Sequence, residues 1–366
     1  MLESYLSKRG CDENTIKRLR KYAIRLKVND EGYINKIEEF VSFLEGFGYK
    51  KSEAFKICVR FPRILKVPYD KIKAVIHELL TLKYEMSDII RLTLDNPALL
   101  KSSVQSIRDK VSFLSSLGFT DDTILKIGKR EPNIFKVSCE YLKNEIKEKC
   151  TLGYSKNDVL KMSKEYPSFL LTSNSRIKGK IKDIMSLGYS EIEALKILKN
   201  YPIIIYYSCN KLKEKITAFE TLGFTSEETL NIFRIFPVIF SYDIDRIKTK
   251  LNEIKKLGFT DEEIKNIVVG FPGVLSADIE SIVERLKYYI EYGIIDFIIK
   301  NPKNLIQSLE LSKARMAYFK ERQIEITDKT ARRLFYASSA FKTCYKIDKG
   351  TLLELYGNNG QNKKRN

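Results

Sequence analysis

Residues 118–152 read GFTDDTILKIGKREPNIFKVSCEYLKNEIKEKCTL, and the grammar of this stretch decides the fold. Gly118 suits the left-handed position that ends a preceding helix. Thr120 is placed as an N-cap, with Asp121 and Asp122 in the first helical turn, where carboxylates complement the helix dipole. Ile124, Leu125 and Ile127 are spaced as the inner face of a short helix. Pro132 has no amide hydrogen and must stop or redirect that helix. Asn133–Phe135 then form a short apolar turn, and Ser138 caps a second, longer helix whose inner residues are Leu142 and Ile146. The unit therefore reads as about three short helices.

Working outward, the same proline recurs every 35 residues at Pro62, Pro97, Pro132, Pro167, Pro202, Pro237 and Pro272. The glycine column holds Gly48, Gly118, Gly153, Gly188, Gly223 and Gly258, with Lys83 the one departure. An aromatic follows at Tyr49, Tyr84, Phe119, Tyr154, Tyr189, Phe224 and Phe259. Two second-helix columns are apolar throughout: one runs from Ile72 to Ile282, the other from Ile76 to Leu286. A fixed period of this length is the signature of stacked supersecondary units that share one continuous core. The expected fold is all-α, a helical-repeat solenoid (superhelix) of about eight to nine three-helix units of 35 residues. Residues 1–47 are expected to be a degenerate N-terminal capping repeat, in which Ile16, Leu19, Ala23 and Leu26 keep the spacing but the proline is lost. Residues 48–292 hold seven tandem repeats and 293–357 a C-terminal capping repeat and helices, with Pro302 only 30 residues after Pro272. Residues 358–366 are expected to be a disordered basic tail.

The chain carries 65 Lys and Arg against 47 Asp and Glu, a formal net charge of +18. Such a balance favours a polyanionic partner, nucleic acid above an anionic membrane. Lysine outnumbers arginine 47 to 18, beside abundant Ile, Asn and Tyr, which is also the bias of an AT-rich genome. Position therefore has to discriminate. One second-helix column reads Lys73, Arg108, Lys143, Lys178, Lys213, Lys248, Val283. Basic residues fill six of its seven places, against about 18% for random placement (65 of 366). Two residues on stand Val75, Lys110, Glu145, Lys180, Lys215, Lys250 and Arg285. A first-helix column reads Lys56, Arg91, Lys126, Lys161, Lys196, Asn231, Asn266. Stacked helices lie about 8–10 Å apart, and duplex DNA carries one charge per about 1.7 Å. A rail over seven units would then follow roughly 20 base pairs. Lysine makes point-charge contacts, which suits phosphate tracking over base reading. The competing reading is a solvated helix edge whose cations pair with nearby acids. Aromatics beside the proline (Phe61, Tyr166, Tyr201, Phe236, Phe271) are expected to pack in the core, whereas Tyr206 and Tyr207 are the better candidates for base stacking.

Enzymatic signatures are missing. His77 is the only histidine, so a zinc site or a Ser-His-Asp triad would rest on it alone. There is no GxxxxGK[ST], and no GxGxxG opens a helix after a strand. Glu262-Glu263 sits in a first helical turn, where the dipole explains it. No cofactor, metal or small-molecule substrate is expected. The six cysteines show no CxxC and read as small buried residues in a reducing, intracellular compartment. No apolar run reaches a membrane span, and the chain is expected to be a monomer. Repeat-like sequence begins near Gly10, which leaves no room for a signal or transit peptide.

The stretches LGFTSEETLNIFRIFPVIF (222–240) and LGFTDEEIKNIVVGFPGVL (257–275) resemble the unit of the mitochondrial transcription termination factor family, mTERF. The resemblance covers about residues 48–310. Pro302–Glu310 is similar to the family's final motif, but Ser312-Lys-Ala-Arg315 stands where an arginine-proline-arginine run is often found. The resemblance implies a superhelix with a positively charged concave surface that binds double-stranded DNA or structured RNA. It also implies roles in organellar transcription termination or regulation, RNA processing or ribosome biogenesis, in a mitochondrion or plastid; the cytoplasm is the alternative. On this reading the protein is not an enzyme. The rival is a helical-repeat scaffold for an acidic protein partner, which would keep that partner after nuclease treatment.

Overall fold

A computed structural model describes residues 1–357; the tail at 358–366 lies outside the described residues. The described residues form twenty-two α-helices and eight 3₁₀ turns, with no strand. Each repeat is a ten-residue first helix, a 3₁₀ turn opened by the proline, and a second helix of 12–13 residues; the third repeat runs Asp121–Arg130, Pro132–Phe135, Cys139–Cys150. An eighth, shortened unit follows the seven in-phase ones: Ile295–Lys300, Pro302–Ile306, Leu309–Glu321.

The proline does the same work in every unit. The residue before it is driven to nearly one conformation, φ −136°, ψ 71° at Phe61 and φ −132°, ψ 65° at Phe236, because the pyrrolidine ring forbids the helical region there. That residue's amide still donates to the carbonyl four back, as Phe236 does to Ile232 at 2.9 Å, so the first helix closes cleanly before it turns. Ser and Thr N-caps start the first helices from the third repeat to the seventh, after Lys50 and Glu85 in the first two. Four of them are closed into capping boxes with an acid three residues on, as Thr260 is with Glu263. Hydrogen bonds from Thr260 hold the Glu263 carboxyl below its usual range.

The chain divides into two compact units, residues 1–178 and 179–366. In the first, the first helix Lys51–Arg60 packs on Met86–Asp95, and the second helices Tyr69–Thr81, Val104–Ser116 and Cys139–Cys150 pack on one another in order. In the second, Glu191–Asn200, Ser226–Ile235, Asp261–Gly270 and Ile295–Lys300 stack as one layer, and Cys209–Thr221, Ile244–Lys255 and Ile279–Glu291 as the other. The first unit is closed by Leu2–Ser7 packed on Asp30–Glu45, the second by Lys349–Tyr356 packed on Leu309–Glu321.

The column from Ile72 to Ile282 is buried in every repeat, and so is every aromatic that follows the glycine position. The glycine column takes positive φ, 88° at Gly118 and 107° at Gly188, and Lys83 is forced into the same region at 65°. The aromatic just after it reaches across to the first helix of the following repeat. Tyr49 meets Thr93 there, hydroxyl to hydroxyl at 2.8 Å. One repeat later the equivalent pair is Tyr84 and Gly128. The Tyr84 hydroxyl occupies the space that a Gly128 side chain would need, 1.9 Å from an ideal Cβ, and it has no hydrogen-bond partner.

Alanine normally stabilises a helix interior relative to glycine. Here the sign inverts: Gly128→Ala should cost about 1–3 kcal/mol through overpacking, Tyr84→Phe alone should be close to neutral, and adding Tyr84→Phe to Gly128→Ala should recover most of the loss. Chemical-denaturation midpoints of the three variants check this; a more stable Gly128→Ala protein contradicts the docking of Tyr84.

Candidate nucleic-acid interface

The two second-helix basic columns, two residues apart, lie about 200° apart around a helix of 3.6 residues per turn. They face nearly opposite directions, and the structure gives them opposite surroundings. Lys73, Arg108, Lys143, Lys178, Lys213 and Lys248 are all exposed. Among the described residues no carboxylate pairs with Lys73, Lys178, Lys213 or Lys248. Lys143 has only a loose, exposed contact with Glu140 at 3.8 Å, of a kind that contributes little. Arg108 differs. Its guanidinium forks onto the buried Glu78 of the preceding second helix at 2.9 and 2.7 Å, and this holds the Glu78 carboxyl below its usual range. Its charge is shared with Glu78, although the side chain stays exposed.

The neighbouring column corrects the sequence reading. Lys110, Lys180 and Lys250 are buried, and Lys215 and Arg285 are half-buried. Their cationic groups reach into the next repeat and donate to backbone carbonyls just before its second helix. Lys110 donates to Val137, Lys180 to Tyr207 at 2.5 Å, Lys215 to Tyr242, and Lys250 to Ala277 and, at 2.7 Å, Leu275. Arg285 reaches Gln307 in the shortened eighth unit, at 3.3 Å. Burial pushes the ammonium pKa of Lys110, Lys215 and Lys250 down. These side chains are staples between repeats, since a 3₁₀ turn followed by a fresh helix leaves carbonyls that only a long donor from the neighbour can satisfy.

Glu145 breaks the column, and the structure shows the repair. Lys149, one turn on and fully buried, pairs with Glu145 at 2.7 Å and donates to Leu170, the counterpart of Leu275, at 3.2 Å. Arg315 plays the same part at the end of the stack. It is 1% exposed, donates to Leu334 and Tyr336 at 2.7 Å each, and burial lowers its pKa to about 10. The residue standing in place of the expected end motif is thus a structural cation.

On the first helices Lys56, Arg91, Lys126, Lys161 and Lys196 are exposed. Arg91 pairs with Asp88 at 3.4 Å. This column starts one turn from the acidic first turns of its own helices, such as Asp121 and Asp122 or Glu191 and Glu193, which offset its field. Further arginines cap the next first helix at its C-terminal carbonyls: Arg18 donates to Val59 at 2.9 Å, Arg60 to Leu94, and Arg130 to Glu165 at 3.3 Å. Of the aromatics before the proline, Tyr201 is buried and the other four are half-buried. Tyr206 is exposed, and the Tyr207 ring lies 4.4 Å from the Lys211 ammonium. Among the described residues no group of three or more potential metal ligands converges, and no helix is long and apolar enough to cross a membrane.

Sequence periodicity found all three columns but could not separate the staples from the exposed row. The one available signal was the pair Val75 and Glu145: an apolar residue and a compensated acid occur where the column points inward. The Lys149 substitute is out of register and carries no such signal, whereas Arg315 stands as far after Pro302 as Arg285 does after Pro272.

Arg108→Gln removes the partner of a buried carboxylate. Glu78, with a folded pKa below its unfolded value near 4.5, contributes stability that is present at neutral pH and lost as pH falls through the folded value. The variant should therefore be less stable than the parent at pH 7, and the gap should close as pH drops below about 4. Thermal melts over that range check this; a gap that persists in acid contradicts it.

The comparisons with known proteins agree with the repeat geometry. No curated protein matches the chain. The mTERF family model matches it four times in overlapping stretches, residues 4–150, 105–219, 146–256 and 196–338. With the matches running through every repeat, the chain belongs to the mTERF family.

Proposed function

We propose that this chain is a non-enzymatic nucleic-acid-binding regulator of organellar gene expression, acting as a monomer without a cofactor. It grips the sugar-phosphate backbone of double-stranded DNA or structured RNA through the exposed second-helix row and thereby controls transcription, its termination, or RNA metabolism. Family membership supports the class: mTERF proteins are nucleic-acid-binding regulators of organellar transcription. The observation that carries the contact is the unpaired state of Lys73, Lys178, Lys213 and Lys248. Each sits at the same place in its repeat, open to solvent, and no carboxylate has been selected to neutralise it. Lys143 joins them with only an exposed, loose pair. Side chains of this kind deliver point charges to phosphates and fix position without reading bases. Arg108 is withdrawn from the set by Glu78, and Lys110, Lys180, Lys215, Lys250 and Arg285 by their carbonyl partners. The first-helix row, Lys56 to Lys196, is a secondary surface.

A salt titration tests the reading. Log affinity for a DNA duplex should fall with log salt with a slope of about −4 or steeper, the row alone contributing about 0.9 for each of four or five phosphate contacts. Lys248→Gln should shallow the slope by about 0.9 and leave stability within about 0.5 kcal/mol. Lys250→Met should do the reverse, keeping the slope and costing about 1.5–3 kcal/mol for a lost charged hydrogen bond. A flat salt dependence, or a partner retained after nuclease treatment, overturns the reading in favour of a protein scaffold.

A further inference from the structure

A cluster of unpaired positive charge lies outside all three repeat columns. Arg25 from the helix Glu13–Leu26, Arg63 and Lys66 from the turn Pro62–Lys66, Lys71 from the helix Tyr69–Thr81, and Lys101 from the turn Pro97–Lys101 line one open cleft of about 420 Å³ with Tyr22. All five cations are exposed, none has an ion-pair partner among the described residues, and no carboxylate lines the cleft. The helix Tyr69–Thr81 begins here behind Pro68, with Asp70 in its first turn.

Five like charges gathered on converging walls repel one another and raise the local potential. Elsewhere this protein answers buried or crowded cations with carbonyls or acids, as at Lys149, Arg108 and Lys250. Here it offers nothing. The feature is also confined to one end of the repeat series. The position of Arg63 becomes Ala98, Asn133 and Ser168 in the following repeats, and that of Lys66 stays basic only through Lys101 and Lys136 before Leu171 and Tyr206.

We propose that this cleft is a phosphate anchor: a site that holds closely spaced backbone phosphates at one end of the bound nucleic acid and so gives binding a polarity along the chain. The proposal rests on the nucleic-acid reading above and adds a site to it. The ligand chemistry is the phosphodiester backbone, shared by DNA and RNA, and two probes separate the sources.

The experiment measures anisotropy of a labelled DNA duplex and a labelled RNA hairpin across a salt series. It uses the full chain, Arg63→Gln/Lys66→Gln/Lys101→Gln, and Lys178→Gln/Lys213→Gln/Lys248→Gln. The cleft variant should lose about 2.7 from the slope on duplex DNA, three contacts at about 0.9 each, and its footprint should shorten at one end only. A matching loss on the hairpin alone assigns the anchor to RNA, and on the duplex alone to DNA. The charge-preserving Arg63→Lys/Lys66→Arg/Lys101→Arg should keep the parent slope. A cleft variant with the parent slope, beside a row variant with a shallower one, overturns the anchor and leaves the function reading intact. A flat line for the unmodified chain overturns both. All substituted side chains are exposed, and unchanged melting curves confirm that the variants fold.

Discussion

A proline placed every 35 residues is the constraint on which the rest depends. It has no amide hydrogen and its ring excludes the helical region for the residue before it, so every first helix ends at the same phase and every second helix starts in the same direction. Without that common phase, equivalent side chains would not share an environment. With it, a single position takes the same place in each repeat, and a shift of two residues moves a side chain from solvent to the space between repeats.

The cost of the proline turn is a set of backbone carbonyls left beside the next helix. Long cations from the preceding repeat satisfy them, and the mutual dependence of staple and turn links neighbouring units in a way that apolar packing alone does not. It also explains why a protein with so many lysines shows half of one basic column buried. A buried ammonium is tolerated only where hydrogen bonds replace its hydration, and Lys250 donates to two carbonyls. At Glu145 the cation is supplied by Lys149 instead, while the first repeat fills the same place with the apolar Val75.

Most of the fold was legible in the sequence because proline, glycine and N-cap residues act locally. Pro132, Gly118 and Thr120 each stand where their chemistry demands, whatever surrounds them. The candidate site was legible only in part. A basic column marks a shared environment without saying which environment, since lysine serves both as a solvated charge and as a long donor to buried carbonyls. Lys178 and Lys180 look alike in sequence, but Lys178 is exposed while Lys180 is buried against the next repeat's Tyr207 carbonyl and Asp183 of its own helix. The pairing of Arg108 was hidden for the same reason: its partner Glu78 lies 30 residues back, on a different second helix. The cleft around Arg25, Arg63 and Lys66 escaped notice because its members come from the capping helix and two turns, and so belong to no single column.

Lysine acylation read by mass spectrometry, with and without nucleic acid, tests the division of labour between the two columns most directly. Lys178, Lys213 and Lys248 should label rapidly in the free protein and be protected by a DNA duplex or structured RNA, while Lys180 and Lys250 should label slowly in both conditions. Rapid labelling of Lys180 and Lys250, or labelling of Lys213 and Lys248 that nucleic acid leaves unchanged, would contradict the account.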